Sequence, residues 1–439
     1  MDRKQIKPFL LSIYFLFISI STALRYQTFE DDYTNTLSLE LMHRDNFLPY
    51  DSNLTPEILL NLRLQRDLLR VQSLSTQVNT QSDIDAASSP VSSGLSSGSG
   101  EYLARLGVGT PPQYFYMALD TGSDVVWLQS YPCSNCYTQS DPIFDPDHSS
   151  SFSPLSCLSK LCNQLNHHGC IDGSDICTYA VIYGDGSFTK GNFSKETLSF
   201  GETSVSNIAL GCGNDNEGLF NASAGLLGLG RGRLSFPVQT MDLFGGKFSY
   251  CLVDPRSSSS EPSNILFGEQ SVSENAGFTP ILGNTLYYVN LIGISVGDYT
   301  VPGINSSVFV GGVIIDSGTT ITRLAEPAYE ALKEAFDDKV SGWNRTSGFS
   351  TFDTCYNSSS SGPNVSVPTM TLHFDGGADM RLPAENYLVS VSGDKVLCLA
   401  FASTSSSELS IIGNFQQQGF RVMYDLKASR VGFAPNPSC

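Results

Sequence analysis

Positive charge is scarce in this sequence. Lysine and arginine number 25 against 43 aspartates and glutamates in 439 residues, a formal charge of −18, and no segment carries a basic stripe. Nucleic acid is therefore not an expected partner, because binding it needs phosphate-neutralising cations. Long apolar runs are missing too. The longest candidate, Phe9 to Ile20, falls short of the ~20 residues a membrane span needs, and nothing later is apolar enough. Histidine is rare: there are 5, and none lies in a recognisable nucleophile motif, which argues against a serine or cysteine hydrolase. Cysteine is absent before residue 130, so the first quarter of the chain has no disulfide framework.

What is present is a globular composition, 41% hydrophobic, with Gly, Ser and Pro punctuating many short Val, Ile, Leu, Tyr and Phe runs. That pattern predicts a mainly β fold, and the length allows two or three domains. At the N-terminus Arg3, Lys4 and Lys7 precede the apolar run, and Ser21-Thr22-Ala23 follow it. Residues 1–23 read as a secretory signal peptide rather than a membrane anchor. The tail shows no lipid-anchor or retention signal. Sequons at Asn53, Asn192, Asn221, Asn305, Asn344, Asn357 and Asn364 fit secretion. In an oxidising compartment the 11 cysteines should be mostly disulfides with one left over. Cys133-x-x-Cys136 with His167 and His168 matches no standard zinc spacing.

Residues 24–97 read as a prosegment and linker. Leu59, Leu60, Leu62, Leu64, Leu68, Leu69 and Val71, with Arg63, Arg66 and Arg70 between them, predict an amphipathic helix. Either it covers a cleft until removed or it simply packs. His43-Arg44-Asp45 imitates a kinase catalytic loop, but Tyr50 stands where that loop needs Asn. Residues 88–100 are a Ser/Gly-rich linker suited to a processing cut.

Two short stretches organise the rest. Asp120-Thr121-Gly122-Ser123 follows the apolar run Tyr114 to Leu119, and Asp316-Ser317-Gly318-Thr319 follows Gly312 to Ile315. Two aliphatics and a glycine recur downstream of each, Leu226-Leu227-Gly228 and Ile411-Ile412-Gly413, at separations of 228−120=108 and 413−316=97. The repeat predicts two related lobes, each giving one carboxyl to a shared site: 98–285, with a Cys-rich insert at 133–177 and a hairpin around Gly184-Asp185-Gly186-Ser187, and 286–439. A helix is predicted from Glu326 to Val340, with Pro327 in its first turn.

Two carboxylates a few ångströms apart cannot both ionise cheaply, so the pair holds one shared proton over an acidic range. The ionised member takes a proton from water, the protonated one hydrogen-bonds to a peptide carbonyl, and the attack needs no metal or cofactor. Gly122 and Gly318 permit the tight turns. Thr121 and Ser317 can hydrogen-bond across the lobe boundary, and Ser123 and Thr319 can reach the outer carboxylate oxygens.

The chain resembles the pepsin-like aspartic proteases, and among them the plant nepenthesin-type branch that includes guard-cell and disease-resistance aspartic proteases. The likeness covers about 99 to 439. It rests on DTGSDVVW (120–127), YGDGSF (183–188), NEGLF (216–220), AGLLGLGRG (224–232), FSYCL (248–252), IIDSGTTITRL (314–324), FDTCY (352–356) and LSIIGNFQQQGFRVMYD (409–425). The resemblance implies a mainly β, bilobal pepsin-like fold with the active-site cleft between the lobes. It implies Asp120 and Asp316 as the catalytic pair, with the proton sharing known for this family. It makes Tyr183, with Gly184 and Asp185, a flap that hydrogen-bonds near Trp127 over an extended polypeptide. Carried over by order, the disulfides would be Cys136–Cys212, Cys157–Cys177, Cys162–Cys170, Cys251–Cys439 and Cys355–Cys398. Ser130 stands where the branch usually has one more cysteine, which makes Cys133 the expected orphan.

The expectation is a monomeric, secreted acid endopeptidase of the plant apoplast or vacuole, made as a zymogen held by its own prosegment. The alternative is a catalytically weak, protein-binding homologue of xylanase-inhibitor type. Such relatives tend to lose one Asp turn, and here both are intact.

Overall fold

The structure is a computed structural model that describes residues 36–47, 54–85, 101–183, 186–218, 220, 222–254, 262–359, 365–391, 393, 395–404 and 409–435. The expected signal peptide (1–23), the linker (88–100), Gly184, Asp185, Asn53, Asn221, Asn364 and Cys439 lie outside the described residues.

Strand patterning begins inside the expected prosegment. β1 (Leu37–His43) reads LSLELMH, burying Leu37, Leu39 and Leu41 while Ser38 and Glu40 face out, the period-two signature of a strand with one covered face. It is followed by α1 (Pro56–Asp85). Leu60 and Leu64 pack with Ile321, Phe352, Val391 and Phe415, and Leu74 packs with Leu286, Ile314 and Ile411. The apolar side of α1 therefore lies on the second lobe, and burial of these leucines, roughly 1.5–3 kcal/mol each, opposes undocking.

β2 (Tyr102–Val108), β3 (Gln113–Asp120) and β4 (Trp127–Gln129) open the first lobe. They belong to a 15-stranded sheet that also takes in Lys247–Cys251, Ser263–Phe267, Phe420–Asp425 and Arg430–Pro435, so it spans both lobes. β1 sits inside it, antiparallel to Ser263–Phe267 on one side (Leu37 opposite Phe267) and to β2 on the other (His43 opposite Tyr102).

The two-fold repeat expected from the sequence is visible in the strand registers. β3 runs parallel to Gly225–Gly228, with Asp120 opposite Gly228. Val313–Ile315 runs parallel to Ile411–Ile412, with Ile315 opposite Ile412. Beside these, β4 pairs antiparallel through Trp127 and Leu226, and Thr322–Ala325 pairs through Arg323 and Ile411. The repeated glycines have a steric cause. A Cβ on Gly413 would lie 2.6 Å from the Thr320 carbonyl oxygen, and one on Gly228 would overlap the Asp124 carbonyl. The strand must pass that close to the Asp turn for the turn to be held from both sides. α2 (Glu326–Lys339) starts with Pro327 in its first turn, as predicted, and ends one residue earlier than expected. The expected hairpin forms between Cys177–Ile182 and Phe188–Phe200, Ile182 facing Phe188.

Candidate active site

Asp120 ends β3 and Asp316 follows Val313–Ile315, so each carboxyl stands at the tip of a buried strand; Asp120 is 2% exposed and Asp316 is fully buried. The two turns are tied directly. The Ser317 N–H donates to Thr121 Oγ1 (3.0 Å), and the Thr121 N–H donates to Ser317 Oγ (3.4 Å). These are the cross-lobe bonds expected of Thr121 and Ser317. The Gly122 N–H donates to Asp120 Oδ1 (3.0 Å), and Thr319 Oγ1 donates to Asp316 Oδ2 (2.6 Å). Ser123 departs from expectation: its buried hydroxyl has no hydrogen-bond partner among the described residues. Asp120 Oδ1 is bound instead by the Gly122 N–H and by an arginine from outside the turn.

That arginine is Arg70, from the middle of α1. Its Nη2 donates to Asp120 Oδ1 (2.8 Å) and to Asp316 Oδ1 (2.7 Å), and its Nε donates to Asp316 Oδ2 (2.9 Å). One guanidinium thus bridges carboxyls 196 residues apart in sequence, counting 316−120, and brings them within a single hydrogen-bonded cluster. Gly122 and Gly318 make room for it: a Cβ on Gly318 would lie 2.9 Å from Arg70 Cζ, and one on Gly122 would overlap Nη2. Burial alone would raise the Asp316 carboxyl. The Arg70 charge and hydrogen bonds, with those from Thr319 and Gly318, outweigh it and hold Asp316 below the usual carboxylate range.

α1 makes three further charged contacts within the two turns before Arg70. Asp67, 1% exposed, accepts the Thr320 and Ile321 N–H groups (2.6 and 3.2 Å) and pairs with Arg323 Nη2 (2.7 Å). Arg63 donates to Asp45 (2.6 Å), and Arg66 grips Glu101 through Nε and Nη2 (both 2.9 Å). Burial alone would raise Glu101, but the Arg66 charge and hydrogen bonds lower it to about 2. Buried His43 lies 3.6 Å from the same carboxylate and is pushed down to about 4, first by desolvation and then by the Arg63 charge. His43, Asp45 and Glu101 present ligand atoms within 4.8 Å of one another. A metal ion is disfavoured there because Arg63 and Arg66 already neutralise both carboxylates.

The family profile described as "Xylanase inhibitor N-terminal" matches residues 102–269, and "Xylanase inhibitor C-terminal" matches 286–435. Aspartyl protease family protein 2 of Arabidopsis thaliana is 54% identical, over 91% of this chain and 85% of its own length. Aspartic proteinase nepenthesin-1 of Nepenthes gracilis is 42% identical, over 87% and 86%. The chain belongs to the pepsin-like aspartic proteases. Solved structures share its bilobal fold at lower identity. The structure titled edgp is 22% identical with a TM-score of 0.60, covering 77% of this chain and 92% of its own. Basic 7S globulin from soybean is 21% identical with a TM-score of 0.61, covering 76% and 92%.

In this protease Tyr183 is buried at the hairpin, and Trp127 Nε1 donates to its hydroxyl (2.6 Å). Phe220 packs edge-on against both rings, with centroids at 4.9 Å and 5.4 Å. Burial raises the Tyr183 hydroxyl well above its ordinary value, with the Asp120 charge adding to the effect, so the phenol stays protonated as a hydrogen-bonding group.

The cysteine pairing expected from sequence order needs correction. Cys133 bonds to Cys136, and among the described residues Cys212 is the free thiol, buried beside the Ser130 and Ser194 hydroxyls. Ser130, the position the branch fills with cysteine, faces Cys212, so the serine orphans Cys212 and not Cys133. The insert pairs are also exchanged, as Cys157–Cys170 and Cys162–Cys177. Cys170 and Cys177 stand opposite each other on adjacent antiparallel strands, Cys170 bonding Cys157 and Cys177 bonding Cys162. Cys355–Cys398 is present. Cys251 is disulfide-bonded, while its expected partner Cys439 lies outside the described residues. Sequons Asn305, Asn344 and Asn357 are exposed, and Asn192 is half-buried.

Proposed function

We propose that this aspartic protease is a secreted endopeptidase, made as a zymogen, that cleaves extended polypeptides at acidic pH. Asp120 and Asp316 are the catalytic pair in this reading, and Arg70 is the lock on them. The observation that carries it is the Arg70 guanidinium shared between the two carboxyls, a cation hydrogen-bonded to both that occupies the space a scissile peptide and its water would need. With Arg70 gone, one carboxyl of the pair can take a proton from water while the other hydrogen-bonds to the substrate carbonyl. The proton then passes to the leaving nitrogen. Thr121 and Ser317 keep the turns in register, and Tyr183, oriented by Trp127, closes over the substrate. Secretion to the apoplast, or delivery to the vacuole, is supported by the leader-like N-terminus and the sequons. No helix among the described residues is long and apolar enough to cross a membrane. The working form is taken to be a monomer, with its own prosegment as its first partner.

The test is to acidify the purified full chain, sequence the new N-terminus and follow digestion of a protein substrate. A cut within 88–100 and activity at acidic pH are expected. Asp120→Asn or Asp316→Asn should lower turnover by at least ~10²-fold while the fold survives. Cleavage at the normal rate by either variant would overturn the assignment. The protein-binding alternative draws support from the matched family's description. It predicts a correctly folded, processed chain that digests nothing.

A further inference from the structure

The second lobe holds a carboxylate in a built pocket, and that carboxylate belongs to α1. Asp67 Oδ1 accepts two consecutive peptide N–H groups, from Thr320 (2.6 Å) and Ile321 (3.2 Å). Asp67 Oδ2 accepts Arg323 Nε (3.2 Å) and Nη2 (2.7 Å). Four donors converge on one carboxyl, and Arg323, 4% exposed, has no other side-chain partner among the described residues. Asp67 precedes Arg70 by one helical turn, and Arg70 lies on the Asp pair, so Asp67 and the Thr320–Arg323 segment it holds lie one turn of α1 from the candidate reacting centre.

The internal repeat says the same by a separate route. Arg323 follows Asp316 by 323−316=7 residues, and Trp127 follows Asp120 by 127−120=7. Each pairs antiparallel with the aliphatic strand of its own lobe, Arg323 with Ile411 and Trp127 with Leu226. In the first lobe this position carries an indole that donates to Tyr183 over the cleft. In the second lobe the same position carries a guanidinium whose acceptor, Asp67, belongs to α1.

We propose that the mature protease uses Arg323 with the Thr320 and Ile321 N–H groups as a carboxylate subsite, selecting peptides with an Asp or Glu side chain close to the scissile bond. This rests on the reading that α1 departs on maturation. Three donor groups, one of them a buried cation with two N–H donors, need an acceptor when Asp67 is withdrawn, and a side-chain carboxylate satisfies them as Asp67 does. Arg suits this task because its fork can take one carboxylate oxygen while the backbone takes the other. In the precursor, Asp67 would then act as a substrate mimic in that subsite while Arg70 neutralises the catalytic carboxyls.

The test compares C-terminally amidated peptides that differ only in Glu against Gln, moved one position at a time across the cleavage site, so that only a side-chain carboxylate is offered. The activated enzyme should prefer Glu by about tenfold or more in kcat/KM at one position, the range of a hydrogen bond to a charged group. In Arg323→Gln that ratio should fall to near one, and in Arg323→Lys part of it should return. A synthetic peptide of residues 56–75, added to the activated protein, gives a second readout independent of turnover. Asp67→Asn in that peptide should weaken binding by about tenfold to wild type and hardly at all to Arg323→Gln. Active enzyme with no positional Glu preference, or with one that Arg323→Gln leaves intact, overturns the subsite and leaves the protease reading standing. An activated chain that cuts no peptide overturns the protease reading instead, and the binding cycle then decides the subsite: coupling of Asp67 to Arg323 supports it, and its absence overturns it.

Discussion

Acid should open the precursor through His43. The imidazole is 6% exposed, edge-on to Tyr102, and its Nδ1 accepts the Asp45 N–H (3.2 Å), so the docked ring is the neutral tautomer with its proton on Nε2 toward Glu101. Protonating it would break the Asp45 bond and add a cation beside Arg63 and Arg66, with Asp45 and Glu101 only partly compensating. Docked, His43 is held at about 4, against an ordinary 6.5. A depressed folded value contributes docking stability that is complete above 6.5 and is lost as pH falls toward 4. At 1.36 kcal/mol per pH unit the whole loss is about 3 kcal/mol, of which about 2 kcal/mol, roughly twentyfold, falls between pH 7 and pH 5. Glu101 and Asp316 act in the same direction but lower, below the ordinary carboxylate range, because both are held down in the docked state. Pulsed hydrogen exchange of the β1 amides, corrected for intrinsic rates and read before any self-cleavage, measures this directly. Wild type should lose roughly twentyfold protection by pH 5, and His43→Gln should hold it until carboxylates begin to protonate near pH 4. Parallel loss in both proteins, or none in wild type above pH 5, would refute the reasoning.

Other consequences can be checked separately. Arg70→Gln removes the cation shared by the Asp pair, at a cost to docking of about 3–5 kcal/mol; its prosegment should be lost at higher pH than in wild type, and equal latency would show that the lock lies elsewhere. Trp127→Phe withdraws the indole donor from the buried Tyr183 hydroxyl, a penalty of about 1–3 kcal/mol, so kcat/KM of the mature enzyme should fall about tenfold, and an unchanged value would remove Trp127 from the flap's support. Burial pushes the Cys212 thiol up to about 12; the native chain should resist alkylation at neutral pH and, unfolded without reductant, take one label at Cys212, whereas a label at Cys133 would contradict the pairing. Replacing Cys355 and Cys398 together opens a 43-residue separation and should cost about 4 kcal/mol by loop entropy, measurable as a lower melting temperature.

The Asp turns were legible in the sequence because the same residues must recur wherever the same geometry recurs. Asp-Thr/Ser-Gly and its distant aliphatic-aliphatic-glycine partner are a steric unit, and the Gly413 and Gly228 contacts show why neither half tolerates a Cβ. The contents of the expected prosegment were less legible. Arg63, Arg66 and Arg70 stood out among the leucines, but spacing alone does not tell which arginine meets two carboxyls and which meet Asp45 and Glu101. Asp67 and Arg323 gave no local signal at all, since an ion pair formed across 323−67=256 residues exists only in the folded chain. β1 could have been found from its alternating leucines. The cysteine pairs of the insert could not, because order along the chain does not determine which thiol lies nearer in space.

Strand β1 joins β2 to Ser263–Phe267, and so connects the two halves of the largest sheet through a piece that maturation would discard. A chain without β1 would leave those two edges without the strand that pairs with both. On the zymogen reading, a melted mature chain would have to refold without β1, and its survival would become a question of how slowly it opens rather than of how deep its energy well lies.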